Sequence, residues 1–280
     1  MPGPADDAHA VDLSVIIPVY NERRKIAGDI RAAAEFCARH GLRGEILVAD
    51  DGSDDGTPEE AEKALPAAVK TASMPLEAVP SPALNPAASR NFPAGAAELC
   101  ILRLSPHRGK GRAVRAGMAR SRGRLILFID SGLCIPYDEI TRGIELIESG
   151  ACTIAHASRR LSSSRILRPQ SLPRRLSAWL FRRLFTRMLG LPKGLTDTQA
   201  GLKIYDGERG RALYRACASD GFLFDAEIIL RAMHAEERIC EFPVSWSADP
   251  DSRLQLRRMP VALVREACAL KKRLHREFAL

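Results

Sequence analysis

Short runs of apolar residues recur along the chain and predict the buried strands of a sheet. Residues 13–19 read LSVIIPV, and comparable runs occupy 45–49 and 124–129. Shorter strands are predicted over 100–104, 150–157 and 241–246. Aliphatic and β-branched runs of this length, bounded by polar residues, are typical of parallel strands that are covered on both faces. The chain therefore has the apolar runs that a sheet buried between two layers requires.

Between these runs, apolar residues recur every three or four positions, which predicts amphipathic helices. The first helix is expected to begin at Glu22, behind a cap on Asn21, and to end at Gly41. Further helices are predicted over 112–121, 174–190, 224–235 and from about 260 to the C-terminus. Strands that alternate with helices in this way predict an α/β fold built on a parallel sheet.

The same pattern predicts how the chain is divided. One α/β domain is expected over residues 11–258, interrupted at 66–96, where proline and alanine dominate and no period is visible. We interpret this segment as an inserted loop, because a long stretch without a helical or strand period seldom belongs to a core. Residues 1–10 are expected to be disordered, and residues 259–280 are expected to form a C-terminal helix.

Composition and cysteine usage predict a cytoplasmic globular protein. The 280 residues are 46% hydrophobic, which suffices for a full core, and no run approaches the ~20 apolar residues that cross a bilayer. The first ten residues are polar, so a secretory signal is not expected. The seven cysteines are scattered without C-x-x-C spacing, which argues against a disulfide framework or a zinc site.

Charge is distributed unevenly along the chain. The first 100 residues carry a formal charge of −7, whereas the remaining 180 carry +15. Residues 159–193 hold ten Lys or Arg and no acid, and a predicted helix within them has an apolar side opposite Arg175, Arg182, Arg183 and Arg187. This pattern predicts attachment to an anionic membrane surface; the alternative is a core-packing helix with a basic solvent face. Nucleic acid is not expected as a partner, because no aromatic stacking motif accompanies the basic residues.

Polar residues follow three of the predicted strands. They are Tyr20-Asn21-Glu22, Asp50-Asp51 and Asp130-Ser131. Each group alone is weak evidence, and Asp50-Asp51-Gly52-Ser53 is an ordinary turn composition. The carboxyl ends of parallel strands, however, meet at one edge of a sheet, where ligands bind. No G-x-G-x-x-G follows the first strand, and Gly109-Lys110-Gly111 lacks the spacing of a P-loop. The three strand ends therefore predict a ligand site of another kind.

Nine segments, taken in order, make the chain resemble a known family. PVYNE at 18–22, VADDGSDDGT at 48–57, RGKGRAVRAGMARSRG at 108–123 and ILFIDS at 126–131 resemble motifs of family 2 glycosyltransferases, whose fold is called GT-A. ASRRL at 157–161, DTQAGLKIY at 197–205, FLFDAEIILRA at 222–232, EFPVSW at 241–246 and SRL at 252–254 resemble the branch that makes dolichyl- or polyprenyl-phosphate glucose and mannose. The resemblance covers about residues 11–275 apart from the insert.

The resemblance implies a GT-A-like fold, with a mixed, mostly parallel sheet flanked by helices, and an inverting glycosyltransferase activity. Such an enzyme moves a hexose from a nucleotide-sugar, of the UDP-glucose or GDP-mannose type, to a polyprenyl or dolichyl phosphate. It would attach peripherally to the cytoplasmic face of a membrane. Two alternatives stay open: a family 2 transferase with a soluble saccharide acceptor, and a pseudo-transferase that binds the nucleotide without turnover.

The resemblance also implies roles for individual residues. The nucleotide-sugar is expected at Pro18, Tyr20, Glu22, Asp50, Asp51, Lys110, Asp130 and Ser131, with a carboxylate of the Asp50-Asp51 pair accepting a hydrogen bond from the base. The acceptor phosphate is expected near Arg159, Gln199 and Lys203. Asp225 and Glu227 match an acidic pair that includes a general base, although the helix dipole alone favours acids at a helix start. His107 and His156 lack metal-ligand partners at useful spacing and are interpreted as structural.

One motif departs from the family pattern. Family members usually read Asp-x-Asp, whereas this chain reads Asp130-Ser131-Gly132. The resemblance implies that Asp130 holds Mg or Mn on the donor diphosphate, where the ion neutralises the leaving group. Glycine offers no ligand atom, and nothing in the spacing shows that Asp138 replaces the missing acid. The sequence therefore leaves the metal requirement open.

Overall fold

One eight-stranded sheet organises the chain. The computed structural model describes residues 11–65, 71–75, 93–249 and 260–278. Its strands are β1 (Leu13–Val19), β2 (Gly44–Asp50), β3 (Thr71–Pro75), β4 (Ala97–Arg103), β5 (Leu125–Ile129), β6 (Ile154–Ser158), β7 (Arg165–Arg168), β8 (Leu202–Asp206), β9 (Ile239–Pro243) and β10 (Ser245–Ser247). Its helices are α1 (Ile26–Arg39), α2 (Thr57–Glu62), α3 (Lys110–Arg120), α4 (Ile140–Glu148), α5 (Leu172–Leu189), α6 (Gly207–Ala216), α7 (Phe224–His234) and α8 (Pro260–Glu277).

The strands of this sheet run mostly in one direction. Their order is β3-β4-β2-β1-β5-β8-β6-β9, and β8 is antiparallel to both of its neighbours, β5 and β6, while every other neighbouring pair is parallel. β7 and β10 form a separate parallel ribbon. The predicted mixed, mostly parallel sheet is confirmed, and the carboxyl ends of β2, β1, β5 and β6 lie along one edge.

The sheet is apolar on both faces because helices cover both. Val15 and Ile17 of β1 pack on one side with Ile30 of α1, whereas Ile16 packs on the other side with Val114 of α3. This two-sided burial explains why the predicted strands read as continuous apolar runs and not as alternating ones.

A third apolar cluster anchors the C-terminal helix. Phe185 and Leu189 of α5 pack with Ile229 of α7 and with Leu263 and Leu270 of α8. Each such side chain contributes about 1.5–3 kcal/mol when it leaves water. α8 is therefore held against α5 and α7.

The start of α1 differs from the prediction. The helix begins at Ile26, not at Glu22, and Asn21 does not cap it. Asn21 adopts a left-handed φ of 57°, and its side-chain oxygen accepts a hydrogen bond from the backbone N–H of Asp54 at 2.9 Å. The predicted cap is wrong because the side chain of Asn21 joins the loop after β1 to the loop after β2.

The predicted loop over 66–96 is wrong for five of its residues. Thr71–Pro75 form β3, which pairs in parallel with β4. Backbone hydrogen bonds to the edge of β4 hold this strand, so it needs no alternation of side chains and leaves no period in the sequence. The expectations for 1–10, 66–70 and 76–92 fall outside the described residues.

The packing of α4 on the sheet gives a first test of the fold. Gly143 lies so close to the sheet that an added Cβ would stand 2.6 Å from Ile204 Cδ1 and 2.8 Å from Phe242 Cε1. We expect Gly143→Ala to lower the free energy of unfolding by about 1–3 kcal/mol through overpacking. Gly28→Ala in α1 is the matched control, since nothing lies within 4 Å of its added Cβ, and it should raise that free energy by about 0.5–1 kcal/mol. Urea unfolding measures both; equal effects would contradict the close packing.

Candidate active site

The loops that follow β1 and β2 are joined into one unit. The backbone N–H of Asn21 donates to Ser53 Oγ at 2.7 Å, and the carboxylate of Asp50 accepts bonds from both the backbone N–H and the hydroxyl of Ser53. Burial raises the pKa of Asp50 above its usual value, although these bonds oppose the shift. Asp50 therefore shapes the loop and does not face outward.

Asp51 connects the end of β2 to the start of α3. Its carboxylate is 2% exposed and accepts bonds from the backbone N–H of Gly109 at 2.6 Å and of Arg108 at 3.3 Å. His107 Nδ1 lies 2.7 Å from the same carboxylate, and the imidazole stacks on Tyr20 with ring centres 3.9 Å apart. Tyr20, predicted to line the nucleotide pocket, and Asp51, predicted to bind the base, are thus neighbours at the sheet edge.

Lys110 and Asp130 form an ion pair where α3 meets the end of β5. Lys110 Nζ is 2.6 Å from Asp130 Oδ1 and lies 5.1 Å from the ring centre of Phe128. Burial alone would lower the pKa of Lys110, but the carboxylates of Asp130 and Asp225 outweigh it and the pKa lies above its usual value. Lys110 is therefore a permanent cation at the sheet edge.

Gly201 fits closely against the other side of Asp130. The backbone N–H of Asp130 donates to Gly201 O at 2.7 Å, and an added Cβ on Gly201 would stand 2.2 Å from Asp130 Oδ2. Any side chain at position 201 would therefore displace the carboxylate. This contact explains the glycine of the DTQAG motif.

Asp29, which sequence reasoning missed, holds the loop after Asp130. Its carboxylate accepts bonds from Ser131 Oγ at 2.5 Å and from the backbone N–H groups of Gly132 and Leu133 at 3.0 and 3.2 Å. Burial raises the pKa of Asp29 to about 6 against these bonds. Ser131 is therefore turned toward Asp29 on α1, and Gly132 adopts a φ of 101° that favours glycine.

Asp225 and Lys203 form a buried ion pair behind Lys110. Lys203 is 1% exposed; its ammonium contacts the Asp225 carboxylate and donates to Ala200 O at 3.1 Å. Burial raises the pKa of Asp225, while the ammonium groups of Lys203 and Lys110 oppose the shift. Lys203 therefore supports Asp225 from inside the protein. The predicted contact between Lys203 and an acceptor is wrong, because the Lys203 ammonium is not exposed.

Glu227 does not belong to the site, contrary to the prediction of an acidic pair. Positions two apart on a helix point about 200° apart around its axis, and Glu227 is fully buried on the side away from Asp225. It accepts bonds from the backbone N–H groups of Ala218 and Ser219 at 3.1 and 2.9 Å and from Arg231 and Arg273 at 2.9 and 2.7 Å. Glu227 therefore ties α7 to α8 and to the loop before α7.

Arg159 extends the site beyond the end of β6. Its guanidinium binds both oxygens of Asp197, at 2.6 and 2.9 Å, and lies 5.2 Å from the ring centre of Trp246. Burial would lower the pKa of Arg159, but Asp197 outweighs it and the pKa is raised. Glu241 fixes Asp197 in turn by accepting its backbone N–H at 2.8 Å. Sequence reasoning missed Asp197, Glu241 and Trp246, which lie in the quoted motifs DTQAG and EFPVSW.

Asp138 does not replace the missing second acid. Its carboxylate pairs with Arg39 at 2.8 Å on the surface. Arg39 is ten residues from Asp29, which is about 15 Å along α1. The carboxylate that lies nearer Gly132 is that of Asp249, which pairs with Lys25 at 2.7 Å. Across the described ranges, no three His, Cys, Asp or Glu side chains gather as a metal site.

The structure thus brings together most, but not all, of the predicted site residues. Those that gather along the carboxyl edge are Tyr20, Asp51, Lys110, Asp130, Asp225, Lys203 and Arg159. Pro18 is buried within β1, Glu22 pairs with Lys25 at 3.0 Å, and Gln199 is exposed. His107, interpreted from the sequence as structural, lies among the gathered residues.

Comparisons with known proteins find relatives over most of the chain. The family model described as Glycosyl transferase family 2 matches residues 14–92 and 86–208. The dolichyl-phosphate beta-glucosyltransferase of Dictyostelium discoideum is 28% identical over 251 residues, which are 86% of this chain and 68% of that protein. The Saccharomyces cerevisiae dolichyl-phosphate beta-glucosyltransferase is 25% identical over 263 residues, 89% of this chain and 71% of that protein.

A solved structure shares the fold. Glucosyl-3-phosphoglycerate synthase from Mycobacterium tuberculosis, in complex with Mn2+, UDP and glucosyl-3-phosphoglycerate, is 17% identical with a TM-score of 0.61, over 92% of this chain and 80% of that one. At this identity the similarity concerns the fold alone, and it confirms the predicted GT-A-like architecture.

The network around Glu227 gives a second test. We expect Glu227→Ala to lower the free energy of unfolding by about 3–5 kcal/mol, because Arg231 and Arg273 lose their buried partner. Glu148→Ala, which removes a half-exposed ion pair with Arg124, is the control and should cost less than about 1 kcal/mol. Calorimetric melting compares the two. A Glu227 variant as stable as the control, but without activity, would restore Glu227 to the site.

Proposed function

Because the chain belongs to glycosyl transferase family 2, we propose that it transfers glucose from a donor of the UDP-glucose type to a polyprenyl or dolichyl phosphate. Membership of this family confirms the resemblance found in the sequence and makes the chain a glycosyltransferase. The two relatives described above, both dolichyl-phosphate beta-glucosyltransferases, support the choice of sugar and acceptor. In the proposed reaction an acceptor phosphate oxygen bonds to the anomeric carbon, the bond to the diphosphate oxygen breaks, and the configuration inverts.

One observation carries this proposal: the polar groups follow the sheet edge in the order that the reaction needs. Asp51 follows β2 and Asp130 follows β5, two strands away, and Arg159 follows β6, another two strands away. Neighbouring strands lie about 4.8 Å apart, so each step spans about 10 Å. The distance from Asp51 to Asp130 suits the base and diphosphate of one nucleotide. The distance from Asp130 to Arg159 suits a fixed cation on the far side of the transferred sugar.

Asp130 and Lys110 suit the donor diphosphate. A divalent ion such as Mg or Mn, when bound there, neutralises the leaving diphosphate and acts as a Lewis acid. Asp130 would hold such an ion, because Mg keeps several waters and takes few carboxylates from the protein. Lys110 adds a permanent positive charge beside it, which stabilises the charge that develops on the leaving group.

Arg159 suits the acceptor phosphate. Asp197 binds one edge of its guanidinium and Trp246 covers a face, so the group is oriented before an anion arrives. An ionised phosphate is already a nucleophile and needs no strong base, which agrees with an Asp225 that is paired inside the protein. A soluble saccharide acceptor, the alternative, would instead require Asp225 to remove a hydroxyl proton.

An apolar and basic surface lies beside Arg159. Across the β7–β10 ribbon, Trp246 is paired with Ile166. Among the described side chains of β7 and α5, the exposed apolar ones, at 43–74% exposure, are Ile166, Leu167, Leu172, Leu176, Trp179, Leu180 and Leu184. Arg175, Arg183 and Arg187 are exposed on the same helix. We call these residues the apolar–basic face and propose that it attaches the protein peripherally to the cytoplasmic face of an anionic membrane.

The predicted apolar side of α5 therefore divides into two parts. Phe185 and Leu189 pack against α8, as the core-packing alternative requires, whereas Leu180 and Leu184 are exposed. None of the helices in the described residues is both long and apolar enough to cross a bilayer. Each Arg near an anionic surface contributes about 1 kcal/mol, so a few suffice for reversible attachment.

Transfer and its metal requirement test the reaction. We expect labelled glucose to pass from UDP-glucose to a short-chain polyprenyl phosphate only with a divalent ion in the millimolar range. Asp130→Ala should reduce the rate by about 100-fold or more, because it removes the protein ligand to the ion. Gly132→Asp should lower the ion concentration needed, and Gly132→Ala controls for the strain of a side chain at the positive φ of this position.

Other outcomes would change the assignment. Transfer to a soluble saccharide, lost in Asp225→Asn, would favour the alternative acceptor. Nucleotide binding that is indifferent to a chelator, with no transfer to any acceptor, would favour the pseudo-transferase.

Attachment to membranes tests the apolar–basic face. We expect the protein to sediment with anionic vesicles and not with neutral ones, and less so as salt rises, because screening weakens the attraction. Changing Arg175, Arg183 and Arg187 together to Gln should abolish it. The matched control changes three exposed basic residues of α8, Arg265, Lys271 and Lys272, to Gln and should keep it. Equal loss in both variants would mean that net charge, and not this face, binds the membrane.

A further inference from the structure

His107 makes two contacts that a nucleobase bound at Asp51 would also make, one with the ring of Tyr20 and one with the carboxylate of Asp51. Its ring lies against Tyr20 with centres 3.9 Å apart and planes 19° from parallel. Its Nδ1 lies 2.7 Å from Asp51 Oδ2. A flat ring with an N–H group, stacked on an aromatic side chain and bonded to a carboxylate, has the same two recognition features as uracil or guanine.

The place that His107 occupies can be vacated without disturbing the loop. His107 is half-exposed and Tyr20 is 38% exposed, so the stacked rings lie at the surface and not in the core. The backbone N–H groups of Arg108 and Gly109 hold the loop to Asp51 independently of the imidazole. Rotation of the His107 side chain would free one acceptor position on Asp51 and one face of Tyr20.

We propose that His107 occupies the base subsite of the unliganded protein and must leave before a nucleotide binds. The proposal rests on the proposed function, because it takes Tyr20 and Asp51 as the base subsite. His107 then competes with every base alike: the apparent affinity is lowered by the fraction of molecules in which the subsite is open. The alternative is that His107 stays and forms a second wall against the base, in which case its ring would add to the affinity.

The competition makes a specific prediction for His107→Ala. The affinity for UDP and for GDP should rise by the same factor, about three- to tenfold, which is the worth of a stacked pair and its hydrogen bond. Inorganic pyrophosphate, which has a diphosphate but no base, should bind as it does to the unchanged protein. His107→Phe keeps a ring that stacks but has no N–H group. Its affinities for UDP and GDP should therefore fall between those of the unchanged protein and those of His107→Ala.

Titration calorimetry of the full chain in the presence of Mg measures these affinities. A weaker affinity for UDP in His107→Ala, or an unchanged one, would overturn the proposal in favour of the second wall or of no role. A change for pyrophosphate as large as that for UDP would also overturn it, because the variant would then have disturbed the loop and not the subsite.

Proton NMR of the His107 ring separates this proposal from the proposed function. In the unliganded protein the ring protons should be shifted upfield by Tyr20, and the signals are assigned by their loss in His107→Ala. Saturating UDP should return them toward the position of a free imidazole. If UDP binds and Asp51→Ala weakens this binding, but the His107 signals do not move, then His107 is not displaced and only the proposed function stands. If no nucleotide binds while the upfield shift persists, the proposed function itself fails, and Tyr20 and Asp51 are then not a base subsite.

Discussion

The site depends on one constraint: at the carboxyl edge of the sheet, a cation from one element is paired with a carboxylate from another. Three such pairs follow one another, Lys110 with Asp130, Lys203 with Asp225, and Arg159 with Asp197. A buried charge without a partner costs several kcal/mol or changes its protonation. The elements that carry these residues must therefore meet in one register, and the close fit of Gly201 against Asp130 follows from the same requirement.

The same constraint means that several carboxylates of the site have partners within the protein before any ligand arrives. Lys110 holds Asp130, His107 holds Asp51, and Lys25 holds Asp249. A ligand gains only the difference between its contacts and the internal contacts that it displaces. Orientation is already provided, as for Arg159 on Asp197, so binding exchanges partners in a site that is largely built.

The sequence predicted what burial and strand ends dictate, and it missed what tertiary contacts decide. β1 has the predicted bounds, because a short continuous apolar run is typical of a strand that is buried on both faces. β7 escaped prediction because its side chains are exposed and it is held by the backbone of β10. Asp225 and Glu227 looked alike in sequence, but α7 directs them to different sides, Asp225 to Lys203 and Glu227 to Arg273 of α8. Asp29 lies among ordinary helix residues, so nothing local indicates that it holds the loop after Asp130.

A lipid phosphate, the acceptor that we propose, has a charged head and an apolar tail, and one structural unit carries both a fixed cation and exposed apolar side chains. Arg159 directly follows β6, the strand that precedes β7 in the chain, and the Trp246 ring that covers it belongs to β10, which pairs with β7. The exposed apolar residues begin at Ile166, directly across from Trp246, and continue onto α5. An acceptor whose phosphate binds Arg159 would therefore leave its tail along the apolar–basic face. A soluble saccharide would use Arg159 but would have no use for that face, which is why the lipid acceptor accounts for more of the structure.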